Sequence, residues 1–203
     1  MSSTIVHEKY EWSNIWWDCA DDAALDRVLL IGDSISVGYT DPVIAHLKDT
    51  AHVDRLANSR GITDPALIKE ITYVLGEFRY KAIHFNNGLH GFHISDELYG
   101  SQLAHLVHVL ARYGQGAKIV WASSTPVTVP GEPSKLDPEK NAIVLRRNEV
   151  ASAVMQDSKI SIDDLYSVVV GRPELSLGDG YHYTPEGYAV LGNEVFEALA
   201  RML

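Results

Sequence analysis

The 203-residue chain contains a single cysteine, Cys19, so no intrachain disulfide can brace it. A domain of this length buries about 70% of its unfolded surface unaided, and neither a bridge nor a structural metal is needed. No run of about 18 apolar residues occurs, which excludes an ordinary membrane-spanning helix. The first 17 residues are polar and aromatic and lack the apolar centre of a secretory signal, so a cytoplasmic location is expected. Positive charge is scarce: 17 Lys and Arg stand against 27 Asp and Glu, a formal charge of −10. Phosphate backbones and anionic bilayers repel such a chain, so nucleic acid and membrane are not expected partners. The longest basic run, Arg146-Arg147, falls in a helical stretch and reads as solvated surface. Repeats and low-complexity tracts are missing too. What remains, 46% apolar and 22% charged residues, is the composition of a folded domain. One domain over 1–203 is expected, with 1–26 as an extension packed on it.

Strand-like and helix-like segments alternate along that domain. Residues 27–32 (RVLLIG) form a short apolar run suited to a strand covered on both faces. Further strands are expected at 52–57, 82–87, 117–122 and 159–162. Helices are expected at 36–48, with a break or late start at Pro42, and at 64–78, with Asp64 as cap and Pro65 in first position. Others follow at 95–113, from Asp137-Pro138 to about 156, at 163–170, and at 185–203 with Thr184 as cap. Residues 125–135 carry three prolines and a glycine and read as a loop, as do 171–183. Short connections between alternating β and α segments imply a five-stranded parallel sheet between two helical layers, a flavodoxin-like α/β/α sandwich. Ligands bind such sheets outside the carboxyl ends of the strands. Chemistry is therefore expected just after Gly32 and just after Asn87.

Gly32-Asp33-Ser34-Ile35-Ser36 occupies the first of these places. Glycine permits a sharp turn into the helix, and free N–H groups at the helix start can face a developing oxyanion. Taken alone, Ser34 also reads as a helix cap, the commoner role. The segment is neither the G-x-S-x-G elbow, which needs glycine where Ser36 stands, nor a phosphate loop, which needs Gly-Lys-Ser/Thr. Near the other end, Asp179-Gly180-Tyr181-His182 precedes the last helix. A serine hydroxyl needs an imidazole to take its proton, and the imidazole works best with a carboxylate fixing its tautomer. One turn could carry both groups. By itself, D-x-x-H is equally a turn in which Asp179 bonds the backbone.

Together, Gly-Asp-Ser after the first strand and Asp-x-x-His before the last helix resemble the SGNH/GDSL hydrolase superfamily, in order and in context, from about residue 27 to 203. The resemblance implies a flavodoxin-like fold and a serine esterase without cofactor or metal. Ser34 would be its nucleophile, His182 its base and Asp179 the carboxylate behind it. It also implies an oxyanion hole from the amides of Ser34 and Gly61 and one side chain. The family's G-x-N-D block supplies that side chain, but here the segment reads Asn87-Gly88-Leu89-His90-Gly91. Aligning Gly88 with the block's glycine puts His90 in the asparagine's place, while Asn87 offers the usual amide one residue earlier. Both stand as candidates.

The resemblance further suggests a small-molecule or carbohydrate ester as substrate, with a short acyl group, acetyl foremost. The alternatives are a lipid or thioester hydrolase of the same superfamily and a non-catalytic domain that kept the pocket. Other candidates weigh less. His90/His93 and His105/His108 have i, i+3 spacing that could suit zinc, but no third ligand is indicated. Trp12, Trp16 and Trp17 could form a sugar platform or pack the N-terminal segment onto the domain, the second being the expectation.

Overall fold

The computed structural model describes residues 6–203; residues 1–5 of the expected extension lie outside it. Strands β1 (Ser13–Trp16), β2 (Asp26–Gly32), β3 (Ala51–Asn58), β4 (Ala82–Phe85), β5 (Lys118–Ala122) and β8 (Ser161–Asp163) form one sheet in the order β1-β3-β2-β4-β5-β8. The five expected strands are present and mutually parallel. The sixth, β1, is an addition to that reading. It runs antiparallel to β3, with Ser13 opposite Asn58 and Trp16 opposite Arg55. Four mostly exposed residues on an edge give no apolar alternation to detect.

The helices are α1 (Ser34–Leu47), α2 (Pro65–Glu77), α3 (Asp96–Tyr113), α4 (Lys140–Ser158), α5 (Leu165–Val169) and α6 (Pro185–Ala200). Strand β2 explains the two helical layers. Leu29 and Ile31 enter a core shared with Ile71 of α2, Leu103 of α3 and Met155 of α4. Val28 and Leu30 face the other way, onto Val43, Leu165 and Leu191 of α1, α5 and α6. A continuous apolar run thus serves two faces in period two. Among the described residues, no helix is long and apolar enough to cross a membrane.

Local signals hold at several ends. The Asp64 side chain accepts from the Ala66 amide with Pro65 in the first turn, and Thr184 accepts from the Gly187 amide. Other boundaries move. Helix α1 starts at Ser34, capped by Asp33, and runs through Pro42 without breaking. Lys159, with φ +56°, ends α4 in the left-handed region, so the last strand begins only at Ser161. The expected loop at 125–135 contains a hairpin, β6 (Thr128–Val129) and β7 (Glu132–Leu136), turning at Gly131. Its prolines concealed it, because proline is tolerated only in edge or short strands.

Arg147 corrects the expectation of a solvated basic pair. Arg146 is exposed and pairs with Asp96, whereas Arg147 is fully buried. The tryptophans divide as well. Trp17 packs edge-on against Tyr73 and tilted against Phe78, tying the N-terminal segment to α2, while Trp16 is exposed.

Candidate active site

Ser34 is the first residue of α1, two positions beyond the end of β2. The turn is tight. A Cβ on Gly32 would stand 2.9 Å from the Cβ and Oγ of Ser36. Asp33 is the cap, accepting from the Ile35 amide at 2.9 Å, and this leaves the Ser34 hydroxyl free for other work. Asp33 is buried and its second oxygen, Oδ2, has no hydrogen-bond partner. Burial pushes its carboxyl up, against the pull of His90, the Ile35 amide and His182.

His182 reaches Ser34 from the loop before α6. Its Nε2 lies 2.8 Å from Ser34 Oγ, and its Nδ1 lies 2.6 Å from Asp179 Oδ2. A carboxylate can only accept, so Nδ1 carries the proton and Nε2 is left to accept from the serine hydroxyl. Asp179 Oδ1 accepts from the amides of Tyr181 and His182 at 2.9 and 2.8 Å. Burial raises this carboxyl, but those amides and the His182 ring outweigh it and hold Asp179 below the ordinary carboxylate range. The hairpin steadies the loop from outside: the Thr128 amide donates to Gly180 O and the Gly131 amide to Gly178 O.

The remaining sequence candidates sit on two facing loops. A Cβ on Gly61 would be 3.4 Å from the Gly91 Cα, so the loops meet at a pair of glycines. Asn87 Nδ2 donates to Arg60 O at 2.8 Å, and its Oδ1 is buried without a partner. His90 Nδ1 lies 3.0 Å from Glu8 Oε1, which leaves Nε2 uncommitted by that contact. Gly88 is pressed onto Ser124, whose Oγ would be 1.8 Å from an added Cβ.

A cavity of about 380 Å³ joins these parts. Ser34 and His182 line it together with Leu89, His90, Phe92, Glu8, Lys140 and Tyr181. The Lys140 ammonium stands 5.1 Å from the Tyr181 ring centre. Asn87 is not among its lining residues. Glu8, Phe92 and Lys140 lie in no motif and Tyr181 stands at a variable position of D-x-x-H, so sequence reasoning gave none of them a role. Only the fold brings residue 8 beside residue 90.

For metals, His93, His105 and His108 are exposed. Among the described residues, the only group of three whose ligand atoms lie within 4.8 Å is Asp18, Cys19 and His52. It sits by the first residues of β3, at the opposite end of the sheet from Ser34.

No family model and no curated protein matches the sequence. Solved structures do match. An aryl esterase of M. smegmatis superposes with a TM-score of 0.73 at 17% identity, covering 88% of this chain and 100% of the other. A carbohydrate acetylesterase of Sinorhizobium meliloti, Est24, gives 0.72 at 15% identity, with 88% and 100% covered. A candidate SGNH hydrolase of Slackia heliotrinireducens gives 0.68 at 19%, with 86% and 99% covered. The chain has the SGNH hydrolase fold. The sheet of this chain is mostly parallel, with the antiparallel β1–β3 pairing at one edge. These matches span 86–88% of this chain, so the SGNH fold accounts for most of it.

Proposed function

We propose that the protein is a serine esterase in which Ser34 is the nucleophile, His182 the proton carrier and Asp179 its orienting carboxylate. The observation that carries this reading is the unbroken Ser34–His182–Asp179 chain of contacts, 2.8 and 2.6 Å long, opening onto a cavity. His182 Nε2 takes the hydroxyl proton as Ser34 Oγ bonds to the ester carbonyl carbon. The carbonyl oxygen becomes an oxyanion, received by the amides of Ser34 and Gly61 and by a group of the loop at 87–91. Collapse breaks the bond to the alcohol, which leaves with the proton from His182. Water, deprotonated by the same ring, then releases the acid and restores Ser34.

The substrate reading is a short acyl ester, acetyl foremost, on a carbohydrate-like alcohol. Leu89 and Phe92 offer a small apolar wall for the acyl group. Tyr181, Lys140 and Glu8 offer a flat ring and charged hydrogen-bonding groups, the chemistry that suits a polyol. Kinship of fold with an aryl esterase and a carbohydrate acetylesterase supports the reaction class.

The test is hydrolysis of p-nitrophenyl acetate beside longer-chain esters and acetylated sugars, in wild type and in Ser34→Ala. Turnover is expected with acetate, and Ser34→Ala is expected to abolish it while the melting temperature stays put. A fluorophosphonate should label Ser34 in the wild type and not in His182→Ala. A loss under about tenfold in Ser34→Ala would leave the serine a helix residue only. Preference for long chains would favour a lipase or thioesterase, and no turnover at all a binding domain.

A further inference from the structure

Arg147 is fully buried on α4, yet it donates to carbonyl oxygens rather than to a carboxylate. Its Nη1 donates to Gly88 O at 2.8 Å and His90 O at 2.9 Å, and its Nη2 to Gly91 O at 2.6 Å. The guanidinium lies over the rings of Phe92 and Tyr99, 5.4 and 5.1 Å from their centres. Tyr99 in turn donates its hydroxyl to Asn87 O. One side chain, about 57 residues away in sequence from the segment it grips, therefore gathers three carbonyls of one short loop.

That grip has a direction. In a trans peptide the carbonyl and the following N–H point opposite ways, and the described residues contain no cis peptide bond. Drawing the carbonyls of Gly88, His90 and Gly91 toward Arg147 turns the amides of Leu89, Gly91 and Phe92 to the other side of the loop. Leu89, His90 and Phe92 line the cavity that holds Ser34 and His182. The Gly91 amide already faces an anion, the carboxylate of Glu8, at 3.5 Å, and Glu8 is itself a residue of that cavity. A buried cation behind the loop also polarises each peptide so that its N–H end is more positive.

We propose that Arg147 is a positioning residue for the reaction. It fixes the loop at 88–92 so that its amides and His90 present positive dipoles to the oxyanion formed at Ser34. The inference rests on the esterase reading. It assigns to a buried guanidinium the ordering of a segment in which the sequence has no G-x-N-D block. Lysine could not replace it fully, because an ammonium is a point charge and not a planar fork that spans three carbonyls.

The test compares Arg147→Lys and Arg147→Met with wild type and with Arg146→Met, a change at the exposed neighbour. In Arg147→Met, kcat for p-nitrophenyl acetate is expected to fall on the order of 10- to 100-fold, the cost of misplacing a site by about an ångström. KM should stay within about threefold, since the interaction matters at the transition state. Affinity for phenylboronic acid, which forms a tetrahedral adduct with serine, should fall in step with kcat. Arg147→Lys should recover part of the loss, and Arg146→Met should match wild type. Hydrogen exchange should quicken at 88–92 and not in β2 or β4. Unchanged kcat in folded Arg147→Lys and Arg147→Met would overturn the proposal. So would a loss matched by lowered exchange protection throughout the sheet, which makes Arg147 a core residue only. If Arg147→Met does not fold, the same readouts on Arg147→Lys decide. Failure of the esterase reading is separate: it would show as wild type that neither turns over esters nor takes a fluorophosphonate. The exchange pattern would then still decide whether Arg147 holds the loop.

Discussion

Asn87 and His90 each precede a glycine, Gly88 and Gly91 respectively, and their side chains are spent differently. The Asn87 amide holds the Arg60 carbonyl at 2.8 Å. That carbonyl belongs to the same peptide as the Gly61 N–H, so Asn87 sets the direction in which Gly61 can donate. His90 lines the cavity and has one ring nitrogen on Glu8. A side-chain donor to the oxyanion is worth on the order of 100- to 1,000-fold in kcat. The expected outcome is that His90→Ala lowers kcat on that scale with KM nearly unchanged. Asn87→Ala should lower kcat less, through loss of Gly61 alignment. Kinetics of the two folded single variants check this. Two near-silent changes would leave the oxyanion to backbone amides alone, and a larger loss at Asn87 would return the donor role to it.

Two elements carry the proposed triad, and their packing fixes its length. Helix α1 begins with Ser34, while α6 begins three residues after His182. They meet through glycines: a Cβ on Gly38 would stand 2.1 Å from the Tyr188 ring, and one on Gly192 would stand 2.5 Å from Pro42 Cβ. Gly38→Ala should gain up to about 1 kcal/mol of helix propensity. Overpacking costs about 1–3 kcal/mol and should win, because a rigid ring occupies the space. Net destabilisation in urea and a lowered kcat, as α6 shifts His182 off Ser34, are expected, with Tyr188→Leu in the same chain relieving both. No relief in the double variant would mean that the two helices do not meet there. The same elements show what a sequence can reveal. That Ser34, Asp179 and His182 meet was legible because each lies in a short motif at an element boundary, and β2 because its apolar run is continuous. Strand β1 was not, since its residues are mostly exposed and form no alternating pattern. Neither were Glu8 and Arg147, whose partners lie 82 and about 57 residues away and leave no local pattern.

Across the whole molecule the charge is −10, and one acid is buried at the turn into α1. Asp33 is held above the ordinary carboxylate range chiefly by burial. Between its unfolded value, about 3.9 for aspartate, and its raised folded value, the native state binds more protons than the unfolded chain. Stability contributed by this group therefore falls as pH rises through that window, and the penalty is complete above it. Other carboxyls add slopes of either sign: Glu194 is raised by burial, while Asp179 is lowered by its hydrogen bonds despite burial. A difference between two proteins isolates Asp33 from them. Asparagine caps a helix about as well as aspartate, so Asp33→Asn keeps the bond to the Ile35 amide and removes only the charge. Its buried amide group carries a cost of its own, but that cost does not depend on pH. The melting temperature of Asp33→Asn minus that of wild type is thus expected to climb as pH rises from about 4 through the raised folded value, and to level off above it. A flat or falling difference, measured by calorimetry at matched ionic strength, would mean that Asp33 is not held as a buried, reluctant anion.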